Sequence, residues 1–498
     1  METFLCLACF REYSVTCARS IASRPPGLET WSKSLEARKR DGREWTQPDK
    51  NRQRNKRMNN GIRFKLFLMM VLEFFIWGAW LPLIFGYLPS LGFSPAEQSW
   101  ILNAFPIASI VGMFFSNQFA DRNFAAQRFL AFSHLVGGVA MLGLAMTKSF
   151  WPFFGLMMLH CLFYVPTISI TNSIAFANMK DPQKEFGLVR MGGTIGWILA
   201  AWPFTFILVD WAKVKAANPQ GFVAWLGAAL GNGLTGTALQ DATKWTYIVA
   251  GVASLVLAAF SLTLPHTPPK KVGAGAGESL AWLEAVKLLK HPFVMVLWLV
   301  TLVDSFVHNC YFNWTGTFLG SATVGVPGNW IMPVMSIGQI AEILTMFILG
   351  ATLKRLGWRA TMFIGILGHA ARFAVYAFAP QKELIIAVQI LHGICYAFFF
   401  ATVYIFVDEY FPKDVRSSAQ GLFNVMILGV GALLANSICP WLIQKVYTTN
   451  DVTDFRGLFL VPCLSALGAA AALLLFFRPP PHQQHSQPAP RRETVAAH

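Results

Sequence analysis

The chain has 498 residues, of which 55% are hydrophobic and only 13% are charged. Apolar runs of about 20 residues recur along most of it and match the hydrocarbon thickness of a bilayer, which excludes a soluble enzyme with a large core and predicts an all-α polytopic membrane protein. The net charge of +15 does not indicate a nucleic-acid partner, because it lies in an N-terminal segment and in short loops, where basic residues set membrane orientation.

The first 57 residues differ from everything that follows. They are polar and basic, cannot bury a core, and are expected to form a disordered extension. The apolar start at Phe4–Phe10 is too short for a signal peptide. Met58 opens a natural first membrane helix, so we expect the chain to start there. At the other end, residues 478–498 are expected to form a disordered tail.

Twelve membrane spans are predicted from the apolar runs. They cover residues 64–88, 97–119, 128–147, 151–177, 187–210, 245–265, 292–319, 329–353, 359–379, 383–411, 416–444 and 456–477. Basic residues concentrate in the loops on one side, so both termini are predicted to be cytoplasmic.

A long cytoplasmic break over 266–291 divides the spans six and six. Its GAGAG segment predicts a flexible linker, and apolar residues at helical spacing over 278–290 predict a helix lying in the membrane interface. The sequence therefore predicts an N-terminal bundle over 58–265 and a C-terminal bundle over 292–477. A basic turn follows the second span of each half, as expected for two related bundles.

A carboxyl group interrupts the first span. Glu73 lies among Phe and Trp residues in VLEFFIWGAW, where desolvation favours the protonated form. One interpretation is that Glu73 loads and releases protons as a cavity changes its exposure. The other is that it stays protonated and donates a structural hydrogen bond.

The fifth span contains a polar stripe. Arg190, Thr194 and Trp197 recur at i, i+4 and i+7, so a cation, a hydroxyl and an aromatic face share one side of the helix. Such a stripe can stack a planar ring and hydrogen-bond its edge. Alternatively, Arg190 snorkels at the helix end and Trp197 packs in the core.

The seventh span carries four polar groups. Asp304 and His308 are four residues apart, as are Asn309 and Asn313, and such groups in lipid need a partner or a function. A structural network between helices and a polar substrate site both fit the pattern. His308 is either a proton relay or a satisfied core histidine.

The eighth span places an amide and a carboxyl on one face, at Gln339 and Glu342. A carboxylate near mid-membrane costs roughly 3 kcal/mol, so it normally faces a bundle interior or a wet cavity. We predict that Glu342 belongs to a site and, like Glu73, couples to protons. Arg372 in the ninth span is a candidate partner for one of the two carboxyls.

No enzyme constellation is present in the sequence. It contains no metal-ligand spacing, nucleophile elbow or phosphate-binding loop, and its histidines are scattered one to a helix. We therefore predict no catalytic activity, no metal and no cofactor.

Seven phrases carry a family resemblance that runs from about residue 62 to residue 477. They are LEFFIWGAW at 72–80, YVPTISITNSI at 164–174, RMGGTIGW at 190–197, LTLPHTP at 262–268, MSIGQIAE at 335–342, ARFAVYAF at 371–378 and VRSSAQGLF at 415–423. With them the chain resembles the proton-linked nucleoside transporter family of the major facilitator superfamily. The resemblance implies twelve helices in two six-helix bundles, located in the cell inner membrane and importing nucleosides with protons.

The resemblance also implies site residues. The family's Arg, Thr and aromatic fall on Arg190, Thr194 and Trp197, although the aromatic in the best-known member is Phe. Its Gln and Glu fall on Gln339 and Glu342.

Four further positions match or depart from the family pattern. Tyr396 matches an aromatic in the tenth span. Asn309 replaces a Gln, and Phe312 stands at an Asn position. Ala397 stands where the family commonly has an Asp, so proton coupling would depend on Glu342 and Glu73.

The sequence thus predicts a monomeric nucleoside:proton symporter working by alternating access, with nucleoside, protons and lipid as its partners. One alternative is an uncoupled facilitator, or a proton-linked carrier of another polar metabolite such as a sugar. A receptor that binds ligand without moving it is the alternative of a different class.

Overall fold

The computed structural model describes residues 50–112, 124–179, 182–269, 286–411 and 416–479. By its contacts the chain divides into two compact units, Met1–Asn60 and Gly61–His498, and apart from the first residues of α1 the second contains all the elements discussed below. The expected N-terminal extension up to residue 49, the linker and interfacial helix up to residue 285, and the tail from residue 480 lie outside the described residues.

The first half consists of nine described helices. They are α1 Lys50–Ser90, α2 Pro95–Leu102, α3 Ala126–Leu144, α4 Phe150–Asn178, α5 Pro182–Ala201, α6 Phe204–Ile207, α7 Trp211–Ala216, α8 Phe222–Gly231 and α9 Gly236–Ser261. Residues 104–112 are also helical and continue the second span. The Gly-rich loop over 211–244, which the charge pattern predicts to be outside, therefore holds two short helices, α7 and α8, and the beginning of α9.

The second half begins after a 3-10 turn at Leu288–Lys290. Its α-helices are α10 Pro292–Gly320, α11 Ile331–Phe378, α12 Lys382–Ala387, α13 Ile390–Cys395, α14 Thr402–Tyr410, α15 Arg416–Asn424, α16 Gly431–Trp441 and α17 Phe455–Phe476. Three π-helical stretches, Tyr396–Ala401, Val425–Val430 and Leu442–Val446, join α13 to α14, join α15 to α16 and extend α16. Two short antiparallel strands, β1 Thr448–Thr449 and β2 Val452–Thr453, precede α17.

Eight helices in the described ranges are long and apolar enough to cross a membrane. One of them, Gly328–Phe378, contains two predicted spans, because Gly357 adopts a φ of 72° and breaks the helix between them. The second, third and fifth predicted spans correspond to α2 with 104–112, to α3 and to α5. These helices make up the twelve-helix, two-bundle fold that the sequence predicts.

Each half has its own hydrophobic core. The core of the first half includes Met69, Tyr164 and Tyr247, whereas that of the second includes Trp314 and Phe459. The interface between the halves is where polar side chains of both can meet a mobile ligand.

Hydrogen bonds join the halves at the end that is predicted to be extracellular. The Gln444 amide donates to the Gln98 side-chain oxygen at 2.7 Å, and the Asn436 amide donates to the Leu102 carbonyl at 3.0 Å. Both contacts link the start of the second span to the end of the eleventh. The structure is therefore closed at this end of the interface.

Glycines of α5 allow its close packing on α1, and the closest approach is at Gly196. A Cβ at Gly196 would collide with the Val71 carbonyl, whereas a Cβ at Gly187 on the same helix would meet no atom within 4 Å. We expect Gly196→Ala to destabilise the protein by about 1–3 kcal/mol and Gly187→Ala to leave it unchanged or stabilise it by up to about 1 kcal/mol. Thermal unfolding in detergent measures both, and equal melting temperatures would contradict the packing argument.

Candidate functional site

Arg190 lies inside the first half and not at a snorkelling position. Its guanidinium carbon is 4.2 Å from the centroid of the Phe74 ring, in cation–π geometry. A Cβ at Gly193 would occupy the same space as the guanidinium. The glycine and the Phe74 ring therefore fix a half-buried cation on the α5 stripe.

The Trp197 side chain contacts residues of both halves. Its ring meets Trp77 edge-on at 5.2 Å and Phe312 of α10 at 6.3 Å. Trp77 in turn stacks on Phe105 at 4.6 Å, and its indole Nε1 is buried without a hydrogen-bond partner. Sequence reasoning missed Trp77, although it lies in the quoted LEFFIWGAW phrase.

Gln339 and Glu342 lie three residues apart on α11 of the second half. Gln339 is 6% exposed, and its Oε1 has no hydrogen-bond partner. Glu342 is half-buried and lies close enough to Arg190 of the opposite half to interact electrostatically with it. A Cβ at Gly393 would collide with the Glu342 backbone, so this glycine lets the tenth span pack closely against the carboxyl-bearing turn.

Three further predicted residues surround this pair of charges. Tyr396 is half-buried and interacts electrostatically with both Glu342 and Arg190. Thr194 is half-buried on the α5 face that carries Arg190. Asn309 is half-buried on α10, where its amide donates to the carbonyl four residues earlier at 2.8 Å.

The seven predicted substrate residues thus come from both halves, and we call them the interface site. They are Arg190, Thr194, Trp197, Asn309, Gln339, Glu342 and Tyr396. Opposite charges face each other across it without a direct ion pair among the described residues. Aromatic faces and amides accompany them, so the site can stack a planar ring and hydrogen-bond polar edges.

His308 lies at the edge of the interface site. Its ring stacks on His392 at 5.0 Å and meets Phe312 at 5.3 Å and Tyr396 at 6.4 Å. Its Nδ1 is buried and has no hydrogen-bond partner. The proton-coupling role of His308 stays a prediction.

The structure places Glu73 in a buried hydrogen-bond network of the first half. Glu73 is fully buried, and its two carboxyl oxygens are bonded to His134 Nε2 at 2.9 Å and Thr167 Oγ1 at 2.7 Å. The sequence grouped Glu73 with Glu342 as a second proton carrier because both interrupt apolar spans. That grouping stays a prediction, and the hydrogen bonds to His134 and Thr167 also fit the structural alternative for Glu73.

Arg372 also has other partners than expected. Its guanidinium donates to His392 Nδ1 at 2.8 Å and His369 Nδ1 at 3.1 Å, and not to Glu73 or Glu342. His369 Nε2 faces the Asp304 carboxylate at 3.5 Å. These four buried groups form a polar cluster inside the second half, which sequence spacing did not reveal.

Comparison with known proteins identifies the family. The family model described as Nucleoside H+ symporter matches residues 60–235 and 220–482. The Escherichia coli (strain K12) transporter YegT is 30% identical over 392 residues, which is 78% of this chain and 86% of YegT. Xanthosine permease from the same organism is 26% identical over 427 residues, covering 80% of this chain and 92% of its own length.

Solved structures agree in fold. A crystal structure of the nucleoside transporter NupG superposes with a TM-score of 0.68 at 24% identity, covering 84% of this chain and 99% of NupG. A D-xylose-proton symporter superposes with a TM-score of 0.58 at 16% identity, covering 84% of this chain and 98% of its own length. These likenesses show the major facilitator fold, and the family-model match over most of the chain shows that this protein belongs to the nucleoside H+ symporter family.

Proposed function

We propose that the protein imports nucleosides together with protons across the cell inner membrane by alternating access. The observation that carries this proposal is the meeting of Arg190 from the first half with Glu342 from the second, beside the contact of Trp197 with Phe312. A ligand that contacts both halves can couple its binding to their relative movement.

Each residue has a proposed role in holding the nucleoside. Trp197 and Tyr396 stack the base, since aromatic faces bind bases irrespective of sequence. Asn309, Gln339 and Arg190 hydrogen-bond the base edge or the sugar. The unpartnered Gln339 Oε1 supports this assignment, because a buried acceptor without a donor costs about 1–3 kcal/mol until a ligand supplies one.

Glu342 is the proposed proton-coupling residue of the interface site. It is half-buried beside Arg190, and binding or release of a proton changes its charge next to that cation. Glu73, whose oxygens are satisfied by His134 and Thr167, is assigned a structural role. His308 is proposed to respond to protonation at the edge of the site.

The topology is part of the proposal. Basic loops favour cytoplasmic termini, which makes the closed end joined by Gln98 and Gln444 the extracellular end. The structure then represents a conformation that excludes the outside. We propose that one chain suffices for transport, because both halves of the interface site come from the same chain.

Tracer uptake into proteoliposomes at two external pH values tests the function. We expect uridine or another nucleoside to accumulate when the outside is acidic, and unlabelled nucleosides to compete while free sugars do not. Equal uptake at both pH values would instead indicate an uncoupled facilitator, and competition by a sugar alone would indicate a sugar carrier. Saturable binding without flux would indicate a receptor.

A further inference from the structure

Each half of the protein contains a buried acid–histidine pair on matching helices. In the first half, Glu73 on the first span meets His134 on the third. In the second half, Asp304 on the seventh span meets His369 on the ninth, which are the first and third spans of that half. The two pairs occupy equivalent places, so the first can serve as an internal reference for the second.

The pair of the first half is fully satisfied. Glu73 accepts a hydrogen bond on each carboxyl oxygen, from His134 at 2.9 Å and from Thr167 at 2.7 Å. The other ring nitrogen of His134 is bonded to Ser254 Oγ at 3.1 Å. A buried polar network in which each member has a partner rigidifies a core.

The pair of the second half is not satisfied. Asp304 and His369 are both fully buried, but the carboxylate oxygen and Nε2 are 3.5 Å apart, which is too long for a good hydrogen bond. Both oxygens of Asp304 and the Nε2 of His369 lack a hydrogen-bond partner. A proton can therefore add to an Asp304 oxygen without breaking any hydrogen bond.

Arg372 determines how this pair is charged. It donates to Nδ1 of both His369 and His392, so each ring accepts at Nδ1 and, when neutral, carries its proton on Nε2. The guanidinium also lies 4.1 Å from the Tyr311 ring centroid, which helps to hold a buried cation. With Asp304 ionised the cluster is neutral, and with Asp304 protonated it carries one positive charge.

The cluster reaches the interface site through aromatic contacts. His392, which accepts from Arg372, stacks on His308 at 5.0 Å, and the His308 ring meets Phe312 at 5.3 Å. Phe312 in turn contacts Trp197. A guanidinium does not give up its proton, so protons do not pass along this series of aromatic contacts. The contacts instead transmit a change of charge or packing from the cluster to the interface site.

We propose that Asp304 is a second proton-binding site of the carrier, so that two protons, one at Asp304 and one at Glu342, accompany each nucleoside; this rests on the proposed function. Asp304 is fully buried, so water does not reach it in this conformation. A proton on Asp304 can exchange with water only in another conformation, and this restriction keeps the carrier from leaking protons. The ionisable groups that interact electrostatically with the pair are His308 on the seventh span, Arg372 on the ninth, and His392 and Cys395 on the tenth. Tyr311 and Tyr376 lie beside Arg372.

The coupling ratio of the wild-type protein is the first test. With the membrane potential held at zero, each co-transported proton multiplies the steady accumulation of substrate by ten per unit of pH gradient, since one pH unit is about 1.4 kcal/mol. We expect wild-type protein in proteoliposomes to accumulate uridine about 100-fold per pH unit, and Asp304→Asn about 10-fold, with counterflow retained. His134→Gln in the first half is the matched control and is expected to keep the wild-type ratio.

The outcomes separate the two proposals. No pH-driven accumulation by wild-type protein would overturn the symport function itself. Accumulation of only about tenfold per pH unit by wild-type protein would leave symport standing and overturn the second site, as would wild-type accumulation by folded Asp304→Asn. If Asp304→Asn does not fold, the accumulation of uridine by Glu342→Gln is the deciding measurement. Accumulation that corresponds to one co-transported proton supports the second site, and complete loss of accumulation overturns it.

Discussion

Replacing Glu342 with Gln is expected to lower the steady uphill accumulation of uridine at least tenfold per unit of pH gradient, while equilibrium counterflow persists. The amide keeps the size and hydrogen-bonding capacity of the side chain but cannot bind a proton. One fewer proton per cycle removes a factor of ten per pH unit from the accumulation ratio. The half-buried position opposite Arg190 suggests that substrate binding itself depends less on this carboxyl.

Proteoliposomes with an imposed pH gradient provide the measurement, and counterflow in the same vesicles reports on binding and exchange. Glu383→Gln is a suitable control, because Glu383 is an exposed carboxyl of the second half near the closed end. We expect this variant to accumulate uridine as the wild-type protein does. Wild-type accumulation by Glu342→Gln would remove this residue from proton coupling. Loss of counterflow as well would show that the carboxyl is needed for substrate binding.

Hydropathy predicted the fold well because lipid constrains it strongly. Backbone polar groups in a bilayer must be paired within the segment, so each apolar run becomes a helix, and the predicted span 292–319 appears as Pro292–Gly320. Local irregularities were not predicted. The π-helical stretch Tyr396–Ala401 within the tenth span depends on packing against neighbouring helices, which a sequence pattern does not encode.

The face of a single helix was likewise predictable, whereas partners on different helices were not. Spacing placed Arg190 and Trp197 on one side of α5, and the structure brings that side to the other half. Spacing gave no information on which groups pair across helices. As a result, Arg372 was predicted to be a partner of Glu73 or Glu342, whereas in the structure it hydrogen-bonds two histidines.

Replacing Trp197 with Ala is expected to raise the KM for uridine uptake about 10- to 100-fold, because stacking of a base on an aromatic side chain is worth about 1–3 kcal/mol and each 1.4 kcal/mol is a factor of ten. The ring also spans the interface between Trp77 and Phe312, so its loss leaves a gap where the halves meet. Trp197→Phe preserves a stacking face and is expected to change KM only about threefold or less.

A control on another tryptophan separates stacking from general damage. Trp225 packs against Trp211 at 5.9 Å in the outer loop, away from the interface site, so Trp225→Ala should leave the KM for uridine unchanged. If Trp197 stacks the base, the Ala variant should lose affinity for nucleosides while any weak inhibition by free ribose stays the same, because ribose offers no ring to stack. A parallel loss for ribose would mean that Trp197 shapes the whole site, and an unchanged KM would place the base on another aromatic face such as Tyr396.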